Sequence, residues 1–290
     1  MQHPQIQVRK VSTDWKTMPV GLTYFFIGQP KTGKTTAVSR WSDKGTDGVL
    51  VIDTDLGSDF ASGANVVTVT SLNAPIRDIT HEGKKVTKNG VPQSEVIPPI
   101  ERGYFHRSGS NKGKPLEAYS LIEVYNWLVT DWSKLPYDTV VIDTIGEVNQ
   151  WVESVVCEEL GISAMGEGQW GADWGKARRK NVDVIKRFQA LMKKEGGNLI
   201  LVSHSKTTVV TDGKAQLGPE LPRGLGYSLA AKADVIGYCT ADKDGDYYVS
   251  FEAYDERVVG SRLKPLAQKR LKFDYKAVKD EILNYKEESK

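Results

Sequence analysis

One short motif constrains this chain more than any other feature. An apolar run, Leu22 to Ile27, leads into Gly-Gln-Pro-Lys-Thr-Gly-Lys-Thr at residues 28–35, and a helical pattern over residues 34–41 follows. The match to G-x-x-x-x-G-K-[ST] is complete, and it lies between a strand and a helix as phosphate binding requires. Glycines in such a turn let backbone N–H groups surround phosphate oxygens, and the helix adds its positive N-terminal end. The motif therefore predicts a P-loop.

Two side chains of the P-loop carry most of the predicted chemistry. Lys34 is expected to reach the β- and γ-phosphates of ATP, and the Thr35 hydroxyl is expected to hold Mg²⁺. The other predicted phosphate contacts are Gly28, Gln29, Pro30, Lys31, Thr32, Gly33 and Thr36. ATP and Mg²⁺ are therefore the predicted cofactors.

Three further apolar runs have the length of buried strands: Val49 to Ile52, Thr139 to Ile142 and Leu199 to Val202. Short apolar runs bounded by Gly, Asp or Ser are typical of strands covered on both faces, as in a parallel sheet. Helical patterns over residues 121–132 and 177–194 lie between them. This alternation predicts an α/β fold with a mostly parallel central sheet flanked by helices.

The sequence predicts an ATPase core of residues 1–266 followed by a C-terminal tail. Three segments depart from the alternation of strands and helices. Residues 75–115, here called the insertion, are rich in Lys, Gly, Pro and Asn and lack periodicity. We expect a surface loop or hairpin there, with a separate module as the alternative. Residues 206–227 are expected to be irregular. The tail, residues 267–290, is predicted to form a strand and an amphipathic helix.

An acidic residue ends the third apolar run. Asp143 follows Ile142 directly, at the sheet edge where α/β folds bind ligands. It is predicted to hold the magnesium site together with Thr35. The alternative is that Asp143 only caps the next helix.

A second strand end offers the residue that hydrolysis needs to orient water. The run Val49 to Ile52 ends in Asp53-Thr54-Asp55, and Asp55 is the predicted water-activating carboxylate. Glu147 is the competing candidate. The alternative for Asp55 is a turn cap before Gly57.

A histidine follows the fourth apolar run. His204 lies at a strand terminus, where a polar side chain could sense the γ-phosphate and pass the signal to the next segment. A purely structural histidine is the alternative.

The order of these motifs resembles the core of RecA-type ATPases. More narrowly, it is similar to phage-encoded RecA- and RadA-like P-loop ATPases, a nucleotide-binding family of AAA type that consists of little more than this core. Some of its members are single-strand annealing recombinases. The resemblance extends to Gln169-Trp170-Gly171-Ala172-Asp173-Trp174-Gly175 and to Val202-Ser203-His204, and it covers roughly residues 22–266.

The resemblance implies DNA contacts in two segments. The first loop segment is residues 161–176, and the second loop segment is residues 206–226. Aromatic and basic side chains together suit single strands, because bases stack on rings while cations neutralise phosphates. The predicted contacts are Trp170, Trp174, Lys176, Arg178, Arg179, Lys206, Lys214 and Arg223. The alternative is that the tryptophans pack on the core and the cations form a solvated face.

The resemblance also implies a homo-oligomer, a ring or a filament. RecA-type ATPases complete their site with a cation from the neighbouring subunit. Arg262 and Lys264 are the candidates, and surface charge on a hairpin is the alternative reading.

Composition restricts the class of protein but does not identify its function. The net charge is only +2, so a basic binding surface must be local. Cys157 and Cys239 have no ligand-like neighbours, which fits a reducing compartment. No apolar stretch could cross a bilayer, and no signal-peptide pattern begins the chain. A cytoplasmic protein is expected, in the host cytoplasm if it is phage-encoded.

Two functions follow from these motifs. The first is a Mg²⁺-dependent ATP hydrolase that oligomerises and binds single-stranded DNA in recombination or replication. The second is an ATP-gated scaffold or loader for a partner protein, without DNA binding of its own. A small-molecule kinase is less consistent with the sequence, because no Arg-rich lid is apparent.

Overall fold

A computed structural model describes residues 14–81, 84–209, 215–254 and 256–286. Its helices, in chain order, are α1 (Lys34–Val38), α2 (Leu121–Asp131), α3 (Ile145–Leu160), α4 (Ala172–Glu195), α5 (Arg223–Ala230) and α6 (Tyr275–Leu283). Among these described helices, none has both the length and the apolar character needed to span a membrane.

The strands form one large sheet and several small pairs. In chain order they are β1 (Thr23–Gly28), β2 (Val49–Asp53), β3 (Asn65–Ser71), β4 (Ile76–Asp78), β5 (Thr80–His81), β6 (Lys84–Lys85), β7 (Thr87–Lys88), β8 (Val91–Pro92), β9 (Ser94–Val96), β10 (Tyr104–Phe105), β11 (Pro115–Leu116), β12 (Tyr119–Ser120), β13 (Thr139–Asp143), β14 (Asn198–Val209), β15 (Ala215–Pro219), β16 (Val235–Ala241), β17 (Tyr247–Ser250), β18 (Gly260–Ser261) and β19 (Arg270–Lys272).

The large sheet is mostly parallel. Its spatial order is β12-β3-β2-β13-β14-β1-β16-β17-β19, with β15 beside β14 and β18 beside β16. The strands from β12 to β16 in this order run parallel, whereas β15, β17, β18 and β19 run antiparallel to their neighbours. The predicted α/β fold with a mostly parallel central sheet is confirmed.

Apolar layers cover both faces of the sheet, which explains why its central strands read as continuous apolar runs. Every residue of β1 is buried. Phe25 and Ile27 pack with side chains of α2, α3, α4 and α5. On the opposite face Tyr24 and Phe26 pack with Trp41 and with α6. The strand that leads into the P-loop is therefore held from both sides.

The parallel strands bring their carboxyl ends to one edge of the sheet. Asp143 lies beside Asp53 in the pairing of β13 with β2. Gly28 lies beside His204 in the pairing of β1 with β14. Since β13, β14 and β1 are neighbours, polar residues taken from separate parts of the sequence meet at this edge.

The insertion consists of short antiparallel pairs, as the prediction of a loop or hairpin required. β4 pairs with β9, β5 with β6, β7 with β8, and β10 with β11. These strands are two or three residues long and mostly exposed. The insertion therefore adds little to the core.

Two segments differ from the sequence pattern. The sequence predicts an irregular segment over residues 206–227, but β14 continues to Val209, because β15 pairs with Thr207 and Thr208, which favour extended backbone. The helix after the P-loop ends at Val38 rather than continuing through residue 41. The chain then turns so that Trp41 is buried against Phe26.

The C-terminal residues add to the sheet and the core. β19 pairs with β17 at the end of the sheet. Val278 and Ile282 of α6 are buried in the same cluster as Phe26. A strand and a helix thus occupy the segment where the sequence predicted them.

A buried arginine attaches the insertion to α2. The Arg102 side chain is only 2% exposed and forms two hydrogen bonds with the Glu123 carboxylate, at 2.7 and 2.9 Å. It also donates to the carbonyl oxygens of Ile97 and Ala118. Glu123 in addition completes the capping box of α2 with Ser120. One ion pair therefore joins the base of the insertion to the start of a core helix.

Replacing Arg102 with methionine should lower the free energy of unfolding by about 2–4 kcal/mol. The change removes the guanidinium from two carbonyl oxygens and from the Glu123 carboxylate, which keeps only its hydrogen bonds from Ser120. Those bonds and the partial exposure of Glu123 keep the loss below that of fully buried pairs. Urea unfolding of both proteins measures the difference. Arg77→Met is the matched control, because Arg77 pairs with Glu95 and Glu101 at the surface and should change stability little.

The same pair predicts a pH dependence. The hydrogen bonds from Arg102 lower the pKa of Glu123 to about 2, below the ordinary value of about 4.3. Because the folded-state pKa is the lower one, the stabilisation is complete above about pH 4.3 and is lost as the pH falls towards 2. The stability gap between wild type and Arg102→Met should therefore shrink over that range. A gap that is the same at neutral pH and at acid pH would contradict the assignment.

Candidate functional site

The P-loop has the tight backbone that its glycines permit. Gly33 has φ of 71° and Lys31 has φ of 64°. A Cβ on Gly28 would come within 2.6 Å of the Cys239 carbonyl oxygen, and one on Gly33 within 2.6 Å of the Tyr247 ring. Both motif glycines therefore lie where a side chain does not fit. Tyr247 is an aromatic neighbour of the loop that the sequence did not indicate.

Lys34 is buried at the mouth of this loop. Its Nζ donates to the carbonyl oxygens of Gly28 and Gln29, at 3.0 and 2.7 Å. Burial lowers the pKa of the Lys34 amine, whereas the nearby Asp143 and Asp55 carboxylates act in the opposite direction. The ammonium group thus lies within the loop, and contact with the β- and γ-phosphates of ATP stays a prediction for this residue.

Thr35 and Asp143 are in direct contact. The Thr35 hydroxyl donates to Asp143 Oδ2 at 2.6 Å across the gap between α1 and β13. Burial, with added repulsion from Asp55 and Asp53, raises the pKa of Asp143 to about 7. A hydroxyl and a carboxylate are the hard oxygen ligands that Mg²⁺ prefers, so these residues fit the predicted metal.

The described residues contain no cluster of three or more His, Cys, Asp or Glu that could hold a metal ion. A P-loop site does not require such a cluster, because phosphate and water oxygens supply most of the magnesium ligands. A divalent cation beside Asp143 would favour the ionised carboxylate despite its burial.

The two acids after β2 have different surroundings. Asp53 is buried and accepts hydrogen bonds from the N–H groups of Gly57 and Ser58, both at 3.1 Å. Burial raises the pKa of Asp53. Asp55 is exposed, and one of its oxygens accepts from Gly57 N at 3.0 Å. The Asp53 carboxylate therefore stabilises the turn, whereas one carboxylate oxygen of Asp55 remains accessible to solvent.

Asp55 also influences the centre of the site. Its charge helps to raise the pKa of Asp143 and opposes the lowering of the Lys34 pKa. Glu147 lies in the first turn of α3 and accepts from the Gln150 side chain at 3.2 Å. Asp55 stays the predicted water-activating residue, and Glu147 stays the competitor.

His204 links the P-loop strand to the hairpin of β14 and β15. Its backbone lies beside Gly28, and its carbonyl oxygen accepts from Glu220 N at 2.8 Å. Its ring Nδ1 is buried and has no hydrogen-bond partner in the described part of the chain. The strand continues past His204, so the predicted sensor lies within β14 rather than at its end.

The structure does not bring Arg262 and Lys264 to the P-loop of their own chain. Arg262 forms an ion pair with Asp234 at 3.0 Å, just before β16 and therefore at the opposite edge of the sheet. The Lys264 ammonium lies 5.9 Å from the centre of the Tyr285 ring. A contribution from a neighbouring subunit stays a prediction for both.

The predicted DNA contacts on the first loop segment are accessible. Trp170 is fully exposed, with φ of 57°, and Trp174 is 43% exposed. The alternative that both rings pack on the core is therefore wrong for Trp170. Lys176 pairs with Glu159 at 2.9 Å, whereas Arg178 and Arg179 are exposed on α4.

Not all of the second loop segment can be placed. Lys206 is half-buried on β14. Lys214 lies outside the described residues, and the side chain of Arg223 is likewise not described.

The fold nevertheless brings the two loop segments together. Trp174, Gly175 and Arg178 face Pro222, Gly224 and Leu225 across one cleft, whose base is formed by α3. These residues belong to the start of α4 and the start of α5. Two segments that are distant in the sequence, each predicted to contact DNA, thus border the same space.

An insertion residue that the sequence did not assign contacts the loop that carries Asp55. Arg107 donates through Nε to Asp59 Oδ2 at 3.0 Å, and through Nη2 to the Leu56 carbonyl oxygen. Leu56 has the left-handed φ of 59°. Hydrogen bonds to the buried Asp53 carboxylate stabilise this loop on its inner side, and hydrogen bonds from Arg107 stabilise it on its exposed side.

Arg107→Ala should lower ATP turnover by about tenfold or more, with little change in ATP affinity. Small displacements of a catalytic group reduce rates strongly, and this loop carries Asp55, the predicted water-activating residue. Steady-state kinetics separate kcat from KM, and nucleotide titration gives affinity. Lys88→Ala, an exposed change in the same insertion, is the control. Full turnover in Arg107→Ala would show that Arg107 does not position Asp55.

Comparison with known families agrees with this geometry. A family model described as an AAA domain matches residues 21–263, from just before β1 to just after β18. No curated protein matches the chain. The P-loop, AAA-type part of the predicted resemblance is confirmed, whereas the RecA-like specificity and the phage origin stay predictions.

Proposed function

The chain belongs to the AAA domain family, and from this we propose that it is a Mg²⁺-dependent ATPase that forms a homo-oligomer and binds single-stranded DNA in recombination or replication. Lys34, Thr35 and Asp143 are assigned to ATP and Mg²⁺, and Asp55 to the attacking water. Arg262 or Lys264 of a neighbouring subunit would stabilise charge in the transition state. ATP, single-stranded DNA and further copies of this chain are the proposed partners.

The observation that carries the DNA part is the shared cleft of the two loop segments. Partly exposed Trp174 and exposed Arg178 line this cleft, and fully exposed Trp170 and exposed Arg179 are close to them in the sequence. Such a surface suits stacking of unpaired bases with phosphate neutralisation nearby. The cleft also shares α3 with the ATP site, because α3 begins directly after Asp143 and Thr144. Nucleotide state could therefore be passed to bound DNA through one helix.

Binding of a labelled single-stranded oligonucleotide, followed by fluorescence anisotropy, tests this function. Trp170→Ala should weaken binding by about fivefold to a hundredfold, as expected for one lost base-stacking contact. Since Trp170 is fully exposed, the change should not affect folding or ATP binding. Trp127→Ala on α2, outside both loop segments, is the control. Binding should also fall steeply with salt. No strand binding by wild type at low salt would reject the function.

One observation favours the second candidate, an ATP-gated scaffold without DNA binding. The insertion exposes large apolar side chains, among them Ile76, Val91 and Phe105, which are 65%, 61% and 56% exposed. Ile76 pairs directly with Val96, which is 51% exposed, and adjoining exposed apolar groups mark protein contacts. Deleting the insertion tip, residues 80–92, should leave ATP turnover unchanged under both candidates. Only the scaffold function predicts that the wild-type protein does not bind single-stranded DNA.

A further inference from the structure

The cleft between the two loop segments has the size and lining of a ligand pocket. Its volume is about 270 Å³, slightly below the range for drug-sized ligands. α3 contributes Asn149 and Glu153, and α4 contributes Trp174 and Arg178. Each pair is separated by four residues and so projects from one helix face. The cleft therefore combines an aromatic ring, an amide, a carboxylate and a guanidinium group.

A hydrogen bond from a buried side chain fixes the orientation of Asn149. It is 7% exposed, and its Oδ1 accepts from Asn181 Nδ2 at 3.1 Å. Asn181 is completely buried and also donates to the Ala177 carbonyl oxygen at 3.1 Å. Asn149 Nδ2 in turn donates to Glu153 Oε1 at 2.8 Å. This chain of hydrogen bonds orients the Glu153 carboxylate at the wall of the cleft.

Two charged groups that line the cleft have hydrogen-bonding atoms without a partner among the described residues. There, the Asn149 amide is the only hydrogen-bond donor to Glu153, so Oε2 is without a partner. The Arg178 guanidinium likewise forms no ion pair or hydrogen bond with a described side chain. A carboxylate with a free oxygen, an open tryptophan ring and a free cation are therefore presented to the same space.

We propose that this cleft binds one unstacked base of the bound strand and that Glu153 selects a base with an exocyclic amino group. The proposal rests on the DNA-binding function proposed above. Trp174 would stack on the base, Arg178 would contact the adjoining phosphate, and Glu153 would accept from the amino group. A carboxylate accepts from cytosine N4, whereas thymine presents a carbonyl oxygen in the same place. The pocket therefore favours cytosine over thymine.

A single base fits these groups better than an apolar side chain of a partner protein. An apolar side chain would leave the Glu153 carboxylate and the Arg178 guanidinium facing it without partners, which is costly for charged groups. A base with its phosphate satisfies both. The cleft is also connected to the ATP site, since α3 begins at Ile145, two residues after Asp143, and Asn149 lies about 6 Å further along the helix.

Anisotropy titrations with oligo-dC and oligo-dT of equal length test the pocket. Wild type should bind oligo-dC at least about fivefold more tightly, as expected for one specific base contact. Glu153→Leu should bring oligo-dC affinity down to that of oligo-dT while leaving oligo-dT unchanged or slightly tighter. Trp174→Ala should weaken both oligonucleotides by a similar factor. Glu158→Leu, an exposed change on the same helix, is the matched control.

The outcomes distinguish the pocket from the function on which it rests. Equal affinity of wild type for the two oligonucleotides, with no effect of Glu153→Leu, would overturn the pocket and leave DNA binding intact. Binding of neither oligonucleotide would overturn both. A cytosine preference that survives Glu153→Leu would show that another residue selects the base and would overturn the assignment of Glu153.

Discussion

Lys34→Met should reduce ATP turnover by at least about a hundredfold, the loss typical when one charged donor to a transition state is removed. Lys34 is buried, and its amine is directed into the P-loop by the carbonyl oxygens of Gly28 and Gln29. Methionine keeps the length and apolar stem of the side chain, so the loop should keep its shape. The phosphate-facing charge is lost. A coupled assay of phosphate release measures the effect.

Arg40→Met is the matched control for that prediction. Arg40 is an exposed cation just beyond α1, and it is not assigned to the site. Its turnover should stay within about twofold of wild type, as for surface substitutions away from functional groups. Equal activity of Lys34→Met and Arg40→Met would mean that the P-loop is not the site of hydrolysis.

Asp143→Asn should also lower turnover by about a hundredfold or more, because the variant cannot supply the charge that holds the magnesium site. Asparagine keeps the shape of the side chain and can still accept from the Thr35 hydroxyl. The protein should require more Mg²⁺ for its residual activity. Turnover measured across a magnesium titration gives both effects.

The same variant should be as stable as wild type or more stable. Burial, with the neighbouring carboxylates, raises the pKa of Asp143 to about 7. Above that pH the folded protein must hold a charge that it disfavours, whereas the unfolded chain ionises freely near pH 4. The neutral amide removes this cost. Thermal unfolding without magnesium at alkaline pH checks the sign, with the exposed change Asp244→Asn as control. A large loss of stability would mean that Asp143 has a structural role instead.

The parts of the site that the sequence predicted are those encoded by neighbouring residues. The P-loop is a contiguous motif, and its glycines are needed locally. Asp143 could be assigned because an apolar strand ends there and parallel strands end at one edge. The contact between Thr35 and Asp143 follows from these two facts.

The parts that the sequence did not predict depend on contacts between distant segments. Nothing near Arg107 indicates that its guanidinium reaches Asp59 and the Leu56 carbonyl oxygen. Arg102 is a charged residue in a polar segment, yet its side chain is almost fully buried by Glu123. Local pattern cannot identify such pairs, because burial of a charge is decided by its partner.

Two strands of the large sheet could not be predicted from the sequence, for a related reason. β3 and β16 were not identified, because both mix polar residues into partly buried strands. Their place is decided by pairing with β2 and β1 rather than by hydrophobic pattern alone. The extension of β14 to Val209 likewise depends on its partner β15.

The central proposal is an ATPase whose activity is coupled to single-stranded DNA. Steady-state ATP hydrolysis with Mg²⁺, measured with and without a single-stranded oligonucleotide, tests it most directly. Hydrolysis should rise when the strand is added and should be lost in Lys34→Met under both conditions. Hydrolysis that is the same with and without the strand, in a protein that retains no strand in the binding assay, would contradict it and favour the ATP-gated scaffold.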